Sequence, residues 1–107
     1  MGIGPISGSG YPTSQPSPNV LIAELKQYAA EFNNAVNAQN YPEALAAYKQ
    51  EEQVFQQLQK VMPNNSVMSH INMYLSSEKQ DLAGGNSPDW YLLAGCAENM
   101  NYLVNQL

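Results

Sequence analysis

The 107-residue sequence has no arginine, one cysteine, one histidine, and no long uncharged apolar run, and each shortage removes a class of function. Without arginine, the basic side chains are Lys26, Lys49, Lys60 and Lys79, scattered one at a time. Such scattering forms no basic patch to displace counterions from a nucleic acid or to hold an anionic membrane surface. Cys96, alone, can close no disulfide within the chain and supplies no thiolate cluster for zinc. No apolar stretch approaches the ~20 residues of a membrane span. Nor is there a Gly-x-Ser-x-Gly elbow, and Gly84-Gly85 lacks the Lys-Ser/Thr that would make it a phosphate loop. No catalytic, cofactor-binding or metal-ligating set is evident, and no small-molecule substrate. The sequence reads as that of a non-enzymatic protein.

Polarity is supplied instead by twelve Asn and ten Gln, which outnumber the four basic and nine acidic residues together. The net charge is −5. Amide-rich helical surfaces solvate by hydrogen bonding and associate without strong charge repulsion.

Residues 1–18 carry Gly at 2, 4, 8 and 10 and Pro at 5, 12, 16 and 18, with serines between. That composition cannot bury enough apolar area to offset chain entropy, so a disordered leader is expected ahead of one helical domain over 19–107. The opening Met-Gly-Ile-Gly-Pro-Ile-Ser has neither the basic nor the apolar region of a secretory signal. The leader is either an inert tail or an export signal of a signal-peptide-independent route.

Periodicity predicts four helices and an all-α fold, a small antiparallel bundle or a repeat-like array. The first starts with Ser17 as cap and Pro18 at the first helical position, and carries Leu21, Leu25, Tyr28, Phe32, Ala35 and Val36. The second starts at Asn40-Tyr41-Pro42-Glu43, with a stripe of Tyr41, Leu45, Tyr48, Phe55, Leu58 and Met62. Glu51 and Glu52 interrupt that stripe. Adjacent helical residues point about 100° apart, so one is expected in solvent and the other at the edge of the core. The third follows Pro63-Asn64-Asn65-Ser66 with Val67, Ile71, Tyr74, Leu75 and Leu82 on one face, His70 at its rim, and Gly84-Gly85 as its stop. The fourth is expected from a Ser87 cap through Leu107 and is apolar nearly all round.

That last helix is where a function is expected. Trp90, Leu93, Ala97, Met100 and Val104 face the other helices, leaving a second apolar strip of Leu92, Cys96, Leu103 and Leu107. Exposed apolar strips with aromatic and Met anchors mark binding surfaces. The partner-binding set is therefore Trp90, Leu92, Cys96, Met100, Leu103 and Leu107. The occupant is another protein chain or a second copy of this one.

Tyr41-Pro42-Glu43-Ala44-Leu45-Ala46-Ala47-Tyr48 resembles the second helix of a tetratricopeptide repeat, and Trp90-x-x-Leu93-Ala94-x-x-Ala97 resembles a first helix. Ala44 and Trp90 do not fit one period of about 34 residues. The resemblance implies a small adaptor or chaperone, of the kind found in bacterial type III secretion, that cradles a partner helix. The Asn-Pro turn before Ala44-Leu45-Ala46-Ala47-Tyr48-Lys49-Gln50 also resembles type III secretion needle subunits, which implies a self-assembling secreted filament subunit instead. Either implies a bacterial cytoplasmic or an exported protein.

Overall fold

The computed structural model describes residues 17–85 and 87–107. They form α1 (Pro18–Asn37), α2 (Tyr41–Val61), α3 (Ser66–Leu82) and α4 (Trp90–Val104), with no strand among the described residues. The leader expected over 1–18 lies outside them, apart from Ser17 and Pro18, which open α1.

Helix ends are set by side chains that satisfy otherwise orphaned backbone groups. Ser17 Oγ accepts from Val20 N at 3.3 Å, and Asn40 Oδ1 accepts from Glu43 N at 3.2 Å. At the end of α1, Gln39 N donates to the Val36 carbonyl and Asn40 N to the Ala35 carbonyl, both at 2.9 Å. This is a Schellman turn, and its left-handed position is held by Gln39 at φ 53° instead of by glycine. Asn65 Oδ1 caps α3 through Val67 N at 2.8 Å.

The fourth helix departs from expectation at both ends. Its cap is Asp89, not Ser87, with Oδ1 accepting from Leu92 N at 3.1 Å. Asp89 N in turn donates to Asp81 Oδ1 at 3.2 Å, which ties the start of α4 to the last turn of α3. At the other end the helix stops at Val104, short of Leu107.

The helices close into a ring. α1 packs most extensively on α2 and then on α4, α3 packs on α4, and α2 meets α3 over the slightest contact. Contact between the first and last helices makes this a closed bundle. The links of 38–40, 62–65 and 83–89 are short, as antiparallel neighbours require. Tyr41 Oη donates to the Leu82 carbonyl at 2.8 Å, which sets the start of α2 beside the end of α3.

The core is built from one stripe per helix. On α1 it is Leu21, Leu25, Ala29, Phe32 and Val36, at three- and four-residue spacing. Leu58, Met68, Ile71, Leu82, Leu93 and Met100 complete the large side chains that are fully enclosed. Each contributes roughly 1.5–3 kcal/mol through the apolar area it removes from water. Leu93, Ala97, Met100 and Val104 of α4 face inward as their spacing predicts.

Candidate functional site: an uncharged groove and a buried acid pair

Because α4 lies against both α1 and α3, both of its apolar strips have neighbours. The six residues expected to form one partner-binding surface are therefore divided. Met100 is wholly enclosed and Cys96 is buried, so neither can touch a partner of the folded bundle. That corrects the expectation for these two: Met100 stays on the inward face its spacing gives it, and the second strip is closed at Cys96, whose thiol lies near Glu78 and Asp81 of α3. Trp90 and Leu107 are half-buried and pack on the core. Leu92 is exposed, but it borders a shallow depression with Ser77, Gln80 and Asp81. Leu103 alone joins a groove with other apolar groups.

That groove runs between α3 and α4. It is lined by His70, Met73 and Tyr74 from α3 and by Asn99, Tyr102 and Leu103 from α4, around ≈ 310 Å³. Met73 is 63 % exposed and Tyr102 69 % exposed, while Tyr74 and Leu103 form a half-buried floor. No carboxylate or lysine lines it. His70 stands exposed at its rim, in agreement with its place beside the helix-three stripe. A larger groove of ≈ 420 Å³ lies between α1 and α2, edged by Glu31 and Glu43 over Ala35, Ala46 and Ala47. It offers no exposed large apolar side chain, so the α3–α4 groove is the stronger docking surface.

Met73 and Tyr102 escaped the sequence reading because each lies off its helix's core stripe. An apolar residue out of phase with the stripe is the signal that finds both.

The interior holds a second feature. Glu51 on α2 and Glu78 on α3 are both 0 % exposed, and none of their carboxyl oxygens has a hydrogen-bond partner among the described residues. Of the adjacent acids Glu51 and Glu52, the spacing places one in solvent and the other at the edge of the core; neither position fits Glu51. It is inside because 44, 47, 51, 54 and 58 share one helical face, and Glu51 occupies the middle of it. Glu52 is half-buried and accepts from Tyr48 Oη at 3.2 Å. Glu78 follows the same logic on α3, where 68, 71, 75, 78 and 82 form the buried face.

Burial disfavours the charged form of any acid, and these groups show it. Desolvation, followed by the nearby Glu78, holds Glu51 well above the ordinary carboxylate range. Desolvation pushes Glu78 up to about 8. Burial, with Glu52 beside it, raises the Tyr48 phenol. Cys96 is pushed up to about 11 by burial and then by Glu78 and Asp81, which keeps it a thiol at neutral pH. A thiol so protonated is a poor nucleophile. No group of three or more His, Cys, Asp or Glu side chains among the described residues is placed to hold a metal ion. No helix among them is long and apolar enough to cross a membrane.

Compared with known protein families, with curated proteins and with solved structures, the chain finds no match.

Proposed function

We propose that this protein is a non-enzymatic interaction module, an adaptor or chaperone that holds an amphipathic helix of a different protein in the α3–α4 groove. One observation carries the reading: Met73 and Tyr102 stand in solvent on either side of a half-buried apolar floor that bears no charge. Two antiparallel helices leave an elongated trough between them, and a third helix with anchors at three- and four-residue spacing fills such a trough. Met and Tyr suit the task, since one adapts its shape and the other presents a rigid amphipathic face. The chain's net charge of −5 favours an occupant with basic flanks and opposes a second acidic copy. A self-assembling subunit is the competing class and is separated by the same test.

The test uses amphipathic helical peptides with basic flanks, titrated into the labelled protein. Amide shifts should concentrate at 70–74 and 99–103, and the double variant Met73→Asp/Tyr102→Asp should abolish them while melting as the parent does. If the protein alone forms dimers or filaments that the variant loses, the occupant is a second copy. The absence of both peptide binding and self-association at this groove would overturn the interaction reading.

A further inference from the structure

The docking reading leaves the two enclosed carboxyls unused, although a bundle gains nothing in stability by enclosing them. Their position is specific. They approach one another across the contact between α2 and α3, the slightest of the four helix contacts in the ring. Glu78 is the neighbour whose charge bears on Glu51. All four carboxyl oxygens lack a hydrogen-bond partner among the described residues, and Asp81 Oδ2, one turn along α3, is a fifth oxygen in that state. Among the described residues no lysine or histidine is buried with them: Lys26, Lys49, Lys60, Lys79 and His70 are all exposed.

Among the described residues, the titratable groups beside the pair are neutral: Tyr48 on α2, which feels both carboxyls and bonds to Glu52, and Cys96 on α4, which feels Glu78 and Asp81. From α1 the core-facing side chains are Leu21, Leu25, Ala29, Phe32, Ala35 and Val36, with Glu24 and Tyr28 half-exposed at its flanks. Two carboxyls in such surroundings can stay enclosed only while neutral. Two carboxylates there would repel each other and draw in water, and the seam they occupy is the slightest of the four helix contacts.

We propose that Glu51 and Glu78 form a proton-operated latch across the α2–α3 seam: protonated, they let the bundle close, and deprotonated, they drive these two helices apart. Linkage sets the sign. Both folded values lie above the ordinary 4.5, so closure is fully supported below 4.5 and loses support as pH rises toward and through about 8 for Glu78. Over that window Glu78 shifts the closed-to-open equilibrium about tenfold per pH unit toward the open form, and Glu51 acts in the same direction.

Amide hydrogen exchange of the full chain between about pH 5 and about pH 8, corrected for the intrinsic chemistry of exchange, tests the latch. In the parent protein, protection in the middle of α2 and α3 should fall by at least about a hundredfold over this range, and in Glu51→Gln/Glu78→Gln it should change by under about threefold. The same pH dependence in both proteins overturns the proposal. Should the double variant fail to fold, the parent decides alone. Its urea midpoint must be lower at the higher pH, and a midpoint that is unchanged or higher overturns the latch.

Discussion

Replacing Glu78 by methionine should make the protein more stable, and the size of the gain follows from its burial. Met is unbranched, close to Glu in length and similar in helix propensity, so the α3 backbone and the packing around position 78 are preserved. At pH 7 an unfolded Glu78 has lost its proton, while the folded one, held up to about 8, keeps it. The interval of about 2.5 pH units between 4.5 and 7, at about 1.4 kcal/mol each, puts the cost of enclosing the carboxyl at about 3.5 kcal/mol. Glu78→Met removes this cost, and no hydrogen bond is lost because neither oxygen makes one among the described residues. For a domain of this size the melting temperature should rise by roughly 10–20 °C at pH 7. Near pH 4.5, where the folded carboxyl is protonated and the unfolded one is half protonated, the gain should be smaller by about 3 kcal/mol. Thermal and urea unfolding at the two pH values read the difference directly. A variant that is destabilised at pH 7, or whose gain is the same at both pH values, would refute the reasoning. It would show that the carboxyl has a compensating partner.

Two further substitutions probe the frame that holds the groove and the acid pair. Gln39→Gly should stabilise by about 1 kcal/mol in urea unfolding, because the Schellman turn holds position 39 at φ 53°, where a side chain is strained; destabilisation would mean that the Gln39 side chain contributes more than its strain costs. Tyr41→Phe should cost about 1 kcal/mol and increase exchange at the start of α2, since it removes the 2.8 Å bond to the Leu82 carbonyl; unchanged stability would show that water replaces the phenol there.

Much of the frame could be read from residues acting locally. Ser17-Pro18 and Asn40-Tyr41-Pro42 announce helix starts by cap chemistry, and both form as read. The inward face of α4 follows from spacing alone. What spacing cannot show is which strips a neighbour covers: Cys96, on the strip that spacing leaves open, is buried near Glu78 and Asp81 of α3. Asp89 displaces Ser87 as cap for a related reason: Asp81, eight residues earlier, holds its amide, a tertiary contact invisible in a local motif. Glu78 sits in the polar run Ser76-Ser77-Glu78-Lys79-Gln80, and only its phase with Ile71, Leu75 and Leu82 marks it as inward-facing. Glu51 was flagged as an interruption, but the expectation that a charge seeks water kept it from being placed inside.

The two ends of the α2–α3 seam are secured by different means. At one end the chain itself joins the helices through residues 62–65, a link too short to let them separate far. At the other, the Tyr41 hydroxyl on the Leu82 carbonyl is the fastening, and the longest of the three links, 83–89, adjoins it. A covalent bond does not yield to thermal motion, whereas a single hydrogen bond breaks and reforms. Separation of these helices therefore has a direction. An opening driven by the acid pair would start from Tyr41 and Leu82 and run toward the Pro63 turn, reaching Glu51 and Glu78 before Phe55, Leu58, Ile71 and Met68.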